Sequence, residues 1–164
     1  MSAVRSESPA DEPVTRPITI DMLDAVLAIE VEAYTFPWTR GNFIDSLAAG
    51  YLARVLRDES DRALIGYFVA MKGVDEMHLL NLTIAPRYQR LGHARRLLDE
   101  LLVLCRAQHA DRLWLEVRQS NTRARELYLR YGFRHIGVRR GYYPALHGRR
   151  EDAAVMSLEV GSVV

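Results

Sequence analysis

Cysteine occurs once, at Cys105, so no disulfide can close within the chain and nothing in the composition argues for an oxidising compartment. No run of about 18 apolar residues is present to cross a bilayer. The first residues lack the apolar core of a secretory signal. A cytoplasmic location without a membrane partner is the expectation. The five histidines, His78, His93, His109, His135 and His147, show no metal-ligand spacing, so no metal site is expected. Lysine is nearly missing: Lys72 is the only one among 22 basic residues, which reads as genome composition rather than function. The chain also lacks the Lys-Ser/Thr of a Walker loop and the three spaced glycines of a dinucleotide turn.

What is present is ordinary globular material. The 164 residues suffice for one domain with a real core, and the 49% hydrophobic and 26% charged fractions suit a folded chain. The net charge of +1 hides an asymmetry: residues 1–61 carry 5 arginines against 11 acids, a balance of −6, and residues 62–164 carry 17 basic residues against 10 acids, a balance of +7. The second part suits an anionic ligand and the first a cationic partner, although scatter over a solvated surface would give the same sums.

Residues 1 to about 15 are rich in Ser, Glu, Asp and Pro and read as a disordered tail before a domain from residue 16 to 164. Pro17–Ile20 reads as a short strand, followed by a helix to about Tyr34 with Asp21 as N-cap. Phe36-Pro37-Trp38 interrupts, and a second helix runs from about Thr39 to Ala49. Tyr51–Leu56, Leu64–Met71 and Met77–Ile84 are strand patterns, the first two joined by a hairpin turn at Arg57–Asp61. Ala94, Leu97, Leu98, Leu101, Leu102 and Cys105 make one apolar face of a helix over about Gly92–Gln108, where Cys105 is a core residue rather than a nucleophile. Leu113–Arg118 is a strand. Asn121 caps a helix to Tyr131, stopped by Gly132, and Phe133–Arg139 and Ala153–Glu159 are the last strands. Consecutive strands early predict an antiparallel meander, and strand-helix-strand later predicts a parallel crossover. The fold class is α/β: a mixed, mostly antiparallel sheet with helices on both faces.

Three places carry candidate chemistry. Gln89-Arg90-Leu91-Gly92-His93-Ala94 joins a strand to a helix N-terminus, where free amides and the helix dipole favour a phosphate and Gly92 permits close approach. Arg87, Arg90, Arg95 and Arg96 surround it, with no acid until Asp99; a plain turn with solvated arginines is the competing reading. Glu116 is the one acid of its strand, where a carboxylate must be exposed, paired or used. A general base is one reading, and an ion pair with Arg118 or another arginine is the other. Tyr128 is either a half-buried core aromatic or a proton donor, since a phenol of pKa about 10 can protonate a thiolate whose thiol has pKa about 8.5. The basic run Arg134–Arg140 has its aromatic neighbours, Tyr142 and Tyr143, beside a proline in a loop rather than on a sheet platform, so direct nucleic-acid binding is not expected.

Taken together, Asn81-Leu82-Thr83-Ile84-Ala85-Pro86-x-Tyr88-Gln89-Arg90-x-Gly92, Leu113–Arg118 with Ser120-Asn121, and Leu127-Tyr128-x-x-x-Gly132-Phe133 resemble the GNAT family of N-acetyltransferases over residues 17 to 160. Phe36-Pro37-Trp38, Arg139-Arg140-x-Tyr142-Tyr143-Pro144 and Arg150-Glu151-Asp152-Ala153 resemble the branch that acetylates the N-terminal alanine of a small-subunit ribosomal protein. The resemblance implies acetyl-CoA as co-substrate, direct attack in a ternary complex, Glu116 as general base and Tyr128 as general acid. It assigns Leu82, Thr83 and Ile84 to the acetyl-pantetheine part, Gln89, Arg90, Leu91, Gly92, His93 and Ala94 to the pyrophosphate, and Asn121 to a further cofactor contact. Ala94 stands where a second glycine is commoner, and Arg149 is extra before Arg150-Glu151-Asp152. The implied partner is a basic N-terminal peptide, with Glu30, Glu32 and Asp45 to receive it and Tyr142 and Tyr143 as candidates for a substrate lid. A monomer is expected. A GNAT enzyme for a small amine or a lysine side chain, or a non-catalytic acetyl-CoA-binding regulator, are the alternatives.

Overall fold

The structure, a computed structural model, describes residues 14–58, 60 and 62–161. The elements are β1 (Val14–Pro17), α1 (Leu23–Ala33), α2 (Arg40–Ala48), β2 (Leu52–Asp58), β3 (Ala63–Lys72), β4 (Glu76–Ile84), α3 (His93–Ala107), β5 (Arg112–Arg118), α4 (Thr122–Tyr131), β6 (Arg134–Pro144) and β7 (Arg150–Glu159), with short 3-10 turns before α1 and α3 and between β6 and β7. The strands form one mixed sheet in the order β1-β2-β3-β4-β5-β7-β6. β4 and β5 pair in parallel, as a crossover through α3 requires, while β1–β2, β5–β7 and β6–β7 are antiparallel. The α/β class and mixed sheet read from the sequence are those of the structure.

The chain falls into two compact units, Met1–Phe68 with Leu82–Ala94, and Val69–Asn81 with Arg95–Val164. In the first, Leu23, Val26, Phe43, Val55, Leu56, Ile65, Tyr67 and Phe68 are buried almost completely. Glu30 lies among them, on the buried side of α1, and its carboxylate is satisfied by the Tyr67 hydroxyl and by the backbone N–H of Trp38 at 3.0 Å. A buried charge held this way fixes the Phe36-Pro37-Trp38 turn against α1. Thr39 then opens α2 through a capping box with Asn42. In the second unit, α3 buries Leu97, Leu98, Leu101 and Cys105, four of the six residues of its expected apolar face, and β5 buries Leu113, Leu115 and Val117 in strict alternation. The Cys105 thiol is pushed up to about 11 by burial, which leaves it a packing residue.

Several local expectations need correction. The tail expected over residues 1 to 15 lies outside the described residues except at its end, where Val14 and Thr15 already belong to β1. The strand expected at Pro17–Ile20 therefore sits earlier, anchored by four pairs from Val14–Arg57 to Pro17–Arg54. Asp21 is not an N-cap: it lies inside the 3-10 turn Ile20–Met22, and Met22 precedes α1. Tyr142 and Tyr143 are not in a loop. β6 runs on to Pro144 through an irregularity in which four steps from Arg139 to Tyr143 oppose two steps from Ala153 to Glu151. Side chains replace the missing ladder there: Asp152 accepts from Gly141 N at 2.8 Å, and Arg150 donates to the carbonyls of Gly141 and Tyr142. Gly141, at φ 59°, supplies the left-handed residue. The connection with the extra Arg149 is a 3-10 turn, Leu146–Gly148, closed by Ala145 N donating to Arg149 O at 2.9 Å.

Candidate active site

In the first unit the end of β4 and the turn after it hold nine of the predicted positions. The hydroxyl of Tyr34 donates to the carbonyl of Leu82 at 3.2 Å and lies 2.7 Å from the Thr83 hydroxyl. The Gln89 side-chain amide donates to the Ile84 carbonyl at 3.1 Å, which folds the turn back under the strand. Arg90 (φ 65°) and Gly92 (φ 85°) are both left-handed, and a Cβ on Gly92 would meet nothing within 4 Å. Gly92 thus suits the left-handed backbone angle, and no neighbouring atom stands over it. Arg90, Leu91 and Gly92 are exposed, His93 begins α3, and the first turn of that helix, with Ala94 in it, carries no acid. An exposed turn that ends in the amides of a helix N-terminus, beside Arg87 and Arg90 and free of acids, fits a pyrophosphate.

In the second unit, β5 places Trp114 and Glu116 on the face opposite its buried leucines. The β4–β5 ladder runs only from Glu76–Arg112 to Leu79–Leu115; both strands continue beyond it, and β5 stays paired with β7 through Glu116–Val155 to Arg118–Ala153. Glu116 therefore stands just past the end of the parallel ladder on a strand held firmly from its other side. Its side chain is 5% exposed. It is paired, but not with Arg118: Arg139 Nη1 donates to Oε1 at 2.9 Å, and His78 Nε2 lies 2.6 Å from Oε2. Arg118 instead binds Glu151 at 3.3 Å and the Pro144 carbonyl at 2.7 Å. A hydrogen bond from Ser120, and then Arg118, hold the Glu151 carboxyl below its usual range. The two arginines also lie over the hairpin tyrosines, Arg139 at 5.1 Å from the Tyr142 ring centre and Arg118 at 4.5 Å from that of Tyr143.

Asn121 is the N-cap of α4, accepting from Ala124 N at 3.2 Å, and Gly132 ends the helix at φ 123°. Between them Tyr128 is 8% exposed, with its ring 5.4 Å from that of Phe133. Two residues of these clusters carry no site signal in the sequence: Tyr34 reads as a helix end and His78 as a histidine without metal-ligand spacing, while Arg139 is the arginine that pairs with Glu116 in place of Arg118. Only the strand alternation that puts His78 on a definite face of β4 was available as a signal.

Residues 23–133 match the family profile described as "Acetyltransferase (GNAT) family". The chain is 38% identical over 130 residues to the [ribosomal protein bS18]-alanine N-acetyltransferase of Haemophilus ducreyi, covering 79% of this chain and 88% of the other. It is 37% identical over 138 residues to the Escherichia coli protein of the same name, covering 84% and 91%. The crystal structure of the ribosomal-protein-alanine N-acetyltransferase from Escherichia coli superposes with a TM-score of 0.82 at 34% identity, covering 93% of this chain and 96% of that one.

Proposed function

The chain belongs to the acetyltransferase (GNAT) family and is an acetyl-CoA-dependent N-acetyltransferase, and from that premise we propose that it acetylates the N-terminal alanine of a ribosomal protein of the bS18 kind. The observation that carries this reading is the identity of 37–38% over most of the chain to two relatives named for that reaction. The wider assignment, an N-acetyltransferase domain over residues 16–164, acting as a monomer in the cytoplasm without membrane or direct nucleic-acid contact, belongs to the same proposal. Among the described residues no helix is long and apolar enough to cross a membrane.

Acetyl-CoA, when bound, supplies the acetyl group already activated as a thioester. Gln89 to Ala94 would hold its pyrophosphate, Leu82 to Ile84 its acetyl-pantetheine part, and Asn121 a further contact. Glu116 takes the proton from the substrate ammonium, directly or through a water, and the freed amine attacks in a ternary complex without an acyl-enzyme. Cys105, 0% exposed, offers no nucleophile for one. Tyr128 holds the proton that the departing sulfur needs.

An α-amino group with pKa about 7.7–8.0 suits a single carboxylate better than a lysine with pKa about 10.4; freeing the lysine at neutral pH costs roughly 3 to 4 kcal/mol more. A basic peptide also suits the acids of the first helices, Glu32 and Asp45. Glu30 is not available for it, being committed to Tyr67 and Trp38.

Intact-mass analysis of three peptides with acetyl-CoA tests the proposal. One begins with free Ala-Arg, one is the same peptide with a blocked N-terminus and an internal lysine, and one begins with free Met. Gain of one acetyl group on the first alone is expected. Gain on the blocked peptide alone would replace the reading with a lysine acetyltransferase. No gain on any, with acetyl-CoA still bound, would leave a small-amine enzyme or a regulator. Tyr128→Phe should keep the packing on Phe133 and lower kcat by about tenfold, a modest loss because water can also protonate a thiolate of ordinary basicity. Steady-state kinetics on the Ala-Arg peptide, with a melting curve to show the fold intact, checks this.

A further inference from the structure

His78 is registered opposite Trp114 across the parallel β4–β5 pair, so its side chain shares the face that carries Trp114 and, one alternation further along β5, Glu116. Its ring lies flat on the Trp114 indole, with centroids 3.6 Å apart and planes 8° from parallel. That stacking fixes the plane of the imidazole and leaves its Nε2 edge pointing at Glu116, 2.6 Å from Oε2. The side chain is 10% exposed. We propose that His78 is a positioning residue for the reaction, which with Arg139 clamps the Glu116 carboxylate in the orientation needed to take the substrate proton.

The chemistry of the contact fixes its sense. A carboxylate ready to take the substrate proton has none of its own to give, so in that state the Nε2–H tautomer of His78 donates to Oε2 as Arg139 donates to Oε1. Each carboxylate oxygen has two lone pairs, so one donor on each stops rotation and still leaves a lone pair to accept the proton. The two clamps differ in firmness. Arg139 reaches in from a half-exposed position, 50% open to solvent, whereas His78 is buried and braced by an aromatic face. Loss of His78 would leave the carboxylate hanging from its more mobile partner, free to turn its lone pair away from the substrate.

The inference rests on Glu116 being the general base, so the test measures both. His78→Leu, His78→Gln, Glu116→Gln and the double variant His78→Leu with Glu116→Gln are compared for kcat and for KM toward acetyl-CoA on the Ala-Arg peptide. Glutamine places an N–H donor where histidine has Nε2, while leucine fills the space without one. The expected result is a fall in kcat of roughly 10- to 100-fold for His78→Leu with little change in KM, recovery of most of that loss in His78→Gln, and a double variant no slower than Glu116→Gln alone. A His78→Leu enzyme as fast as wild type, beside a slow Glu116→Gln, would overturn the role of His78 and leave the base in place. A Glu116→Gln enzyme as fast as wild type would remove the base itself. If His78→Gln is as slow as His78→Leu, or if the losses multiply in the double variant, His78 is only a packing residue and the proposal fails.

Discussion

Glu116→Gln is expected to lower kcat on an Ala-Arg peptide by roughly 10²- to 10⁴-fold, about 3 to 5 kcal/mol of barrier. The substitution keeps the shape and one acceptor oxygen for Arg139, and it removes the carboxylate just past the end of the β4–β5 ladder that is proposed to take the proton from the ammonium. Arg139 is half exposed and returns to water at small cost, so the fold should survive and the KM for acetyl-CoA should hold. The pH dependence makes the test sharper. The substrate's own α-amino group loses its proton near pH 7.7–8.0. A base that serves to free the amine is therefore needed most at pH 7 and least at pH 9, and the gap between wild type and variant should narrow across that interval. Rates that fall by less than about threefold at pH 7 would show that the amine reaches the thioester without help from this carboxylate.

Gly66→Ala should be the most damaging glycine-to-alanine change in the first unit. Gly66 lies buried in β3, and a Cβ there would stand 2.4 Å from the Thr83 carbonyl oxygen, 2.6 Å from Ile84 Cδ1 and 3.2 Å from Ile84 Cα. The isoleucine methyl can turn aside, but the carbonyl belongs to the backbone of β4 and moves only with its strand. Overpacking of this kind costs about 1–3 kcal/mol, occasionally more, and for a chain of this length each kcal/mol lowers Tm by roughly 2–4 °C. The displaced segment is Leu82–Ile84, so weaker acetyl-CoA binding should accompany the lower Tm. Gly137→Ala is the control, because a Cβ there meets nothing within 4 Å and no left-handed angle is involved. Melting curves and acetyl-CoA titration of the two variants should diverge; equal behaviour would mean that β3 and β4 have room to spare at this point.

Much of the fold was legible because its signals are local. The apolar spacing of α3, the alternation of β5, Asn121 before α4 and Gly132 after it each act through neighbours in the chain, and each lies where the pattern put it. The turn from Gln89 to Ala94 was legible for the same reason. Errors fell where distant residues decide. Val14 and Thr15 look like tail until β2 is there to pair with them, and Asp21 has the chemistry of a cap but sits in a turn that precedes the helix. Tyr142 and Tyr143 precede a proline and a glycine-bearing stretch, yet Asp152 and Arg150 supply the bonds that keep them in a strand. The partners of Glu116 were hidden most completely. Arg118 is its near neighbour in sequence, but the carboxylate reaches Arg139 and His78, the latter 38 residues away. Nor could the sequence reveal that Gly66 is a glycine because another strand's carbonyl occupies the place of its side chain.

The sheet order β5-β7-β6 has a consequence for how the enzyme is made. As the chain leaves the ribosome, β5 emerges with Glu116 in it, and then α4 and β6, but the strand that must lie between β5 and β6 has yet to be synthesised. Until β7 arrives, two sheet edges in the second unit have no partner and are exposed to whatever strand is near. Glu116 takes its backbone partner, Val155, from that late strand, and Arg139 is carried beside it only once β6 has docked on β7. A nascent chain stalled before residue 150 would thus possess every side chain of the proposed reaction but lack the strand that pairs with Glu116 and seats β6 with Arg139, so full activity is expected only once β7 has been added.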